Sequence, residues 1–331
     1  MIRFVTRTDV HLSDHTPVSR TDDWTETVFG KLRQIGDLAR RVGADGVLDN
    51  ADFFDVKAPI RNSHALVRGV AELHKEYPCP VYGNVGNHDC TRQDIRNLPK
   101  QPLGVLFATG VFQRCYDEHE HGFLDDDGMS VRVLGIPFHG NKYDLDRFRA
   151  CKKQGEDYLL VMAHVLASEK GGTMFDNEDV IKYADLIELA PDVDVWLFGH
   201  WHKDQGITEI APGKWVINLG SLTRGSLAWD DVTRQPAVSV ITFTREGIEI
   251  ERHDIEIRPH EEVFDVDGRV REESRAATMD FFVDSIRKTL TETEDGATLS
   301  EKVGAMDGLP EKVRDRAIEF IETAEGAVVG R

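Results

Sequence analysis

Short apolar runs and helix-spaced apolar positions alternate through the first hundred residues. Ile2 to Thr8 is a run of β character that ends at Asp9. Val28, Leu32, Ile35, Ala39 and Val42 follow at the spacing of one helix face. Thr21, Asp22 or Asp23 suits the N-cap of that helix, and Gly43 stands where its C-terminal stop belongs. Gly46-Val47-Leu48 leads into an acidic cluster from Asp49 to Asp55. Leu66, Val70 and Leu73 predict a second helix, and Pro80-Val81-Tyr82 opens a strand that reaches Gly86-Asn87-His88-Asp89. The strand–helix–strand rhythm predicts a largely parallel sheet with covering helices.

Four later runs are rich in β-branched or large apolar residues: Val131 to Ile136, Tyr158 to Ala163, Val193 to Phe198 and Trp215 to Leu219. They predict a second sheet. Ala237 to Phe243 and Ile248 to Ile257 predict an antiparallel pair around Glu246-Gly247. The pattern turns helical after residue 260. Met279, Phe282, Val283, Ile286 and Leu290 mark one helix, and Val313, Ala317, Phe320, Ile321 and Ala324 mark another, with Pro310 near its first turn. The expected organisation is a main domain over residues 1–260 and an acidic helical cap or docking element over residues 261–331.

Charge narrows the function. The 331 residues carry 59 acids against 40 bases, a net charge of −19. Residues 261–331 hold 18 of those acids and 10 of the bases. A free-standing DNA coat or a polybasic membrane protein is excluded on this balance. No run reaches 18 apolar residues, so no membrane span is expected. The N-terminus reads as a strand and lacks a signal peptide's apolar stretch. The four cysteines, Cys79, Cys90, Cys115 and Cys151, show no CxxC spacing. That pattern argues against a disulfide framework or a thiolate zinc site and fits a reducing cytoplasm.

Five segments place metal-type ligands just after strand-like runs: Asp9-x-His11, Asp52 within Ala51-Asp52-Phe53-Phe54-Asp55, Asn87-His88-Asp89, His164, and His200-x-His202. Loops at the carboxyl ends of strands are where α/β proteins build sites. One such segment alone is weak, because a lone histidine beside an apolar run is usually structural. Five in this order are hard to reach by chance. Carboxylate, imidazole and amide oxygen together suit manganese, iron, zinc or nickel better than calcium. Two divalent cations held by Asp9 and Asp52 keep a net positive charge, which suits a phosphate ester. His139 is expected to be structural.

With its DxH, GNHD and GHxH motifs, the chain resembles the calcineurin-like metallophosphoesterases over residues 3–222. Gly86-Asn87-His88-Asp89 and Gly199-His200-Trp201-His202 carry the specific part of the likeness. Ala51 stands where the family's GDxxD motif has glycine, and its methyl group fits an ordinary φ. The resemblance implies an α/β fold of two mixed sheets packed face to face and flanked by helices. It implies that Asp9, His11 and His202 hold one divalent cation, that Asn87, His164 and His200 hold a second, and that Asp52 bridges them. Manganese is the expected metal, with iron, zinc or nickel compatible. His88 is implied to act on the leaving oxygen, Asp89 to orient His88, and a hydroxide activated by the metal pair to attack in line.

Within the family, Thr8-Asp9-Val10-His11-Leu12-Ser13, the Phe53-Phe54-Asp55 segment with Lys57 and Pro59, and Gly220-Ser221-Leu222 with Arg224 are similar to SbcD-type DNA-repair nucleases. That likeness implies a DNA exo- or endonuclease, an SMC-like ATPase partner, and a homodimer as a compatible state. Lys57, Arg61, Arg92, Arg96, Lys100, Lys142 and Arg224 are the basic residues near the motifs that it offers to a phosphate backbone. Two alternatives stand beside it. One is a phosphatase or phosphodiesterase acting on a small molecule or phosphoprotein. The other is a catalytically silent scaffold that binds through its acidic tail.

Overall fold

The computed structural model describes residues 1–55, 62–173, 177–226 and 228–265, together with the single positions 303, 314 and 318. In chain order, β1 (Ile2–Arg7), α1 (Trp24–Val42), β2 (Gly46–Asp49), α2 (His64–His74), β3 (Val81–Gly83), α3 (Pro102–Ala108) and β4 (Phe112–Arg114) make the strand–helix repeat. Asp23 caps α1 by accepting from Glu26 N, and Gly43 ends it at φ 61°. The strands β1, β2, β3 and β4 run parallel.

The middle of the chain supplies β5 (His121–Leu124), β6 (Ser130–Ile136), α4 (Leu145–Arg149), β7 (Tyr158–His164), β8 (Ala167–Ser168), β9 (Gly172–Thr173), β10 (Asp179–Lys182), α5 (Tyr183–Leu189), β11 (Val195–Gly199), β12 (Gly206–Ala211) and β13 (Lys214–Asn218). The chain then returns to the first sheet with β14 (Ala237–Phe243) and β15 (Ile248–Asp254). The strand orders are β15-β14-β1-β2-β3-β4 and β12-β13-β11-β7-β6-β5, with a small β8-β10-β9 sheet beside them. Each large sheet is mixed: four parallel strands with antiparallel additions. The last strand stops at Asp254, short of the expected Ile257. Its partner begins at Ala237 behind Pro236, which has no N–H to extend the ladder.

Side-chain alternation explains the layering. Phe4, Leu48, Leu160, Met162, Val195 and Leu197 point into the layer between the sheets. Their neighbours turn away: Val5 and Val47 pack with residues of α1, and Val161, Trp196 and Phe198 with residues of α5. Two sheets thus pack face to face between helices. At one end of the interlayer the filling becomes polar. Asn50, just after β2, donates through Nδ2 to Ala163 O at 3.1 Å and Leu197 O at 2.8 Å. Asn84, just after β3, donates to Ile136 O at 2.9 Å, Met162 O at 3.3 Å and Asn50 Oδ1 at 3.0 Å. Both asparagines are fully buried.

The chain divides into two units, Met1–Phe264 and Asp265–Arg331. In the second, Val303, Arg314 and Ile318 are helical. The helix expected around Met279–Leu290 lies outside the described residues, as do Lys57, Pro59 and Arg61. Among the described residues, no helix is long and apolar enough to cross a membrane.

Candidate metal centre

All five ligand segments lie at the carboxyl ends of parallel strands: β1, β2 and β3 in one sheet, β7 and β11 in the other. The loops there are bent in an unusual way. Asp9, His11, Ala51, Asp52 and His200 all have left-handed φ, at 52°, 50°, 77°, 48° and 80°. Each such residue costs about 1 kcal/mol or more and needs its surroundings to hold it. Cross-loop bonds do so: Asp9 N to Ala51 O at 3.0 Å, His11 N to Asp52 O at 2.9 Å and Asp55 N to Leu12 O at 3.0 Å. The ordinary φ that would suit a methyl group is not found at Ala51, and the residue keeps a glycine-type conformation with a methyl group on it. Two glycines are required by close approach. A Cβ on Gly86 would lie 2.0 Å from Asp52 Oδ1, and one on Gly199 would lie 2.2 Å from Thr8 Oγ1.

These loops bring the expected ligands together in two groups. Ligand atoms of Asp9, His11, Asp52 and His202 lie within 4.8 Å of one another, and so do those of Asp52, His164 and His200. Asp52 belongs to both. The orphaned atoms test whether cations fit. Asp52 Oδ2, Asn87 Oδ1 and His164 Nε2 are buried without a hydrogen-bond partner, although the first and last stand 3.2 Å apart. Buried polar atoms are rarely left so, and convergent ones suit a bound cation. The imidazoles are oriented for the same purpose. His164 Nδ1 is 2.9 Å from Asn50 O, which leaves Nε2 facing the centre. His200 Nε2 is 3.0 Å from Glu178 Oε1, so Nδ1 is the ring nitrogen that remains for a cation. His11 and His202 face each other through their Nε2 atoms at 2.9 Å.

The charges agree. Burial disfavours ionisation of Asp9 and Asp52, yet neighbouring imidazoles outweigh it and hold both carboxyls below the usual carboxylate range. Burial alone would lower His164, but Asp52 overrides it and lifts the imidazole to about 9. A proton on His164 thus offsets buried negative charge where a divalent cation would take its place. Chemistry and geometry of the donor set both fit two cations.

His88 stands beside this set. Its N–H donates to Asp52 Oδ1 at 2.7 Å, and its ring meets that of His11 edge-on at 4.7 Å. The residue behind it differs from expectation. His88 Nδ1 lies 3.0 Å from Asp55 Oδ1, whereas Asp89 accepts from Phe54 N and Gly86 N, both at 3.0 Å. Asp89 therefore ties two ligand loops together and does not orient His88. Burial and the Asp52 charge push its carboxyl up to about 8. Arg224 is a second correction. It is buried and donates to Val232 O and Arg258 O, so it offers nothing to a phosphate backbone. Arg96 and Lys142 pair with Asp94 and Asp179 at 2.7 Å. His139 is structural as expected, bonded to Pro137 O and Asp144 N.

Two residues near the site were not assigned from sequence. Asp55 closes the second motif, and that position was its only signal. Glu178 lies before β10 in no motif. Its Oε1 accepts from Tyr143 Oη at 2.7 Å while facing His200.

Comparison with curated protein sequences finds no match. Among solved structures, a dimetal phosphatase from Danio rerio is 12% identical, with a TM-score of 0.51 over 77% of this chain and 99% of its own. An archaeal phosphodiesterase is 13% identical, with a TM-score of 0.38 over 77% of this chain and 100% of its own. At 12% identity the phosphatase speaks for the fold alone, and at a TM-score of 0.38 the phosphodiesterase adds nothing to it. A profile described as calcineurin-like phosphoesterase matches residues 2–204, more than half of the sequence, and the chain belongs to that family.

Proposed function

We propose that the protein is a dinuclear metallophosphoesterase that hydrolyses phosphodiester bonds. The observation that carries this reading is the sharing of Asp52 between two ligand groups, with Asp52 Oδ2, Asn87 Oδ1 and His164 Nε2 buried there without a hydrogen-bond partner. Asp9, His11 and His202 would hold one cation, Asn87, His164 and His200 the other, and Asp52 both. Bound divalent cations supply Lewis-acid polarisation of phosphoryl oxygen and acidify water. The chain does the rest. Asp55 fixes Nδ1 of His88, so Nε2 of His88 is the atom that protonates the leaving oxygen. Asp89 holds the Asp52 and Asn87 loops in register.

DNA cleavage of the SbcD type, with manganese, is the narrower form of the reading. It rests on the likeness of the Thr8–Ser13 and Gly220–Leu222 segments. With Arg224 buried and Arg96 and Lys142 paired, Arg92 and Lys100 are the exposed bases of that set left among the described residues, and an SMC-like ATPase partner would supply the further cationic surface for DNA. The test is hydrolysis in manganese of linear single- and double-stranded DNA beside bis-p-nitrophenyl phosphate, each with a His88→Ala control. DNA cleavage that vanishes in the control supports the nuclease. Ester hydrolysis with DNA left intact restricts the protein to small phosphodiesters. No hydrolysis of any substrate overturns the proposal.

A further inference from the structure

Residues 221–224 form a buried loop in which each of four consecutive carbonyls accepts a hydrogen bond from a cationic side chain. Arg234 donates through Nη1 to Ser221 O and through Nη2 to Thr223 O, both at 2.6 Å. Lys31 Nζ donates to Leu222 O at 2.8 Å, and Arg20 Nη1 to Arg224 O at 2.9 Å. The three side chains are themselves buried. Arg20 and Arg234 have carboxylate partners in Asp22 and Asp231. Among the described residues, Lys31 has none within ion-pair distance, and burial drives its ammonium well below the usual lysine range.

The opposite edge of the loop faces the centre. Ser221 N donates to His202 O and Leu222 N to Thr8 O, both at 3.1 Å. Ser221 Oγ donates to Asp9 O at 2.8 Å. The loop therefore grips the backbone of Asp9 and His202, two of the four ligands of one cation position. Among the described residues it makes no hydrogen bond to Asn87, His164 or His200. Burying three cations is expensive even when they are hydrogen-bonded, and apolar side chains would fill the same volume more cheaply. What apolar side chains lack is donors, and only donors fix the direction of four adjacent carbonyls.

We infer that Lys31, Arg20 and Arg234 are positioning residues for one cation position, bracing the 221–224 loop, which bonds Asp9 and His202 directly and none of Asn87, His164 and His200. The inference rests on the dinuclear assignment above. None of the three side chains bonds a ligand atom, so the effect passes through the loop backbone.

The test uses the full-length, metal-free protein titrated calorimetrically with manganese, beside urea unfolding of the same samples. Lys31→Met keeps the aliphatic stem and removes the ammonium. Arg234→Lys keeps the charge and loses one of two donors. Lys31→Met is expected to weaken one binding step by about tenfold or more. That step should be the one lost in His202→Ala, with the step lost in His164→Ala unchanged. Arg234→Lys should show a smaller loss in the same step, which keeps the test intact if Lys31→Met fails to fold. Two steps falling together in proportion to lost stability would overturn the inference, and so would unchanged binding. Fewer than two manganese ions on the parent protein would instead overturn the dinuclear reading itself.

Discussion

At the inner of the two proposed cation positions, His164 is fully buried with Nδ1 on Asn50 O, and His200 is backed by Glu178, which Tyr143 holds in turn. At the outer position, the His202 side chain is 49% exposed, and Asp9 and His11 sit on left-handed backbone. His200 shares that backbone conformation, but side-chain hydrogen bonds orient the inner imidazoles, whereas the outer ligands depend on the 221–224 bracket behind them. Pre-set imidazoles lose little freedom on binding a cation, so the inner position should bind more tightly. The outer position is the one open to solvent and hence to an entering phosphate.

Four measurements can break or sharpen that contrast. The largest effect belongs to Asp52→Asn, which removes the residue common to both positions. Metal content by mass spectrometry should fall at both, and turnover with it. His88→Ala provides the reference, because it should keep both metals while turnover drops about 10²–10⁴-fold. Equal metal loss in the two variants would remove His88 from its assigned role. Next is Glu178→Ala, expected to weaken the inner step about 10–100-fold and spare the outer. Glu178→Gln should recover most of it, since the amide oxygen still accepts from His200 Nε2–H. Loss at the outer step instead would reverse the contrast.

Ala51→Gly is expected to stabilise the protein by about 1 kcal/mol in urea unfolding, by relieving a left-handed alanine beside Asp52. No gain would mean that the ligand loop carries no strain at that residue. The smallest effect concerns Asp22, the counter-ion of Arg20 in the bracket. Burial raises its carboxyl, but Arg20, Thr27 and Arg258 outweigh burial and hold it at about 2. A depressed folded-state value means stability that is present above the ordinary carboxylate value near 3.8 and lost as pH falls through about 2. Asp22→Asn should therefore be less stable than the parent at pH 6, with the gap closing towards pH 2.

Much of this site is legible in sequence because its ligands are local. Asp9-x-His11 and His200-x-His202 announce themselves over three residues, and strand-like runs before each place them on one rim. The residues behind the ligands are not legible in that way. Glu178 reaches His200 across 22 positions of chain, and Lys31 reaches Leu222 across 191. Neither lies in a motif, and only the folded chain brings either to its partner. The Asp89 expectation failed for a related reason. Adjacency in sequence suggested a partner for His88, but the Asp89 carboxylate is taken up by the backbone N–H groups of Gly86 and Phe54, and Asp55 reaches His88 from the loop after β2. The central strands of the two large sheets were readable as apolar runs, whereas the edge strands β5 and β12 are half-exposed and were not read, and the three-residue β4 and the two-residue β8 and β9 are too short to carry a period.

The paired amides of Asn50 and Asn84 have a mechanical consequence. A sandwich of two sheets has a soft sliding motion, because an apolar interlayer resists displacement only weakly along its plane. Here four amide hydrogen bonds cross from the first sheet to Ile136, Met162, Ala163 and Leu197 of the second, at the end where the ligands stand. Sliding is pinned at that end, and any residual shear is displaced towards the far rim. A centre assembled from two sheets then behaves as one solid part, and substrates of different shape must be met by the surrounding loops rather than by the sheets moving apart.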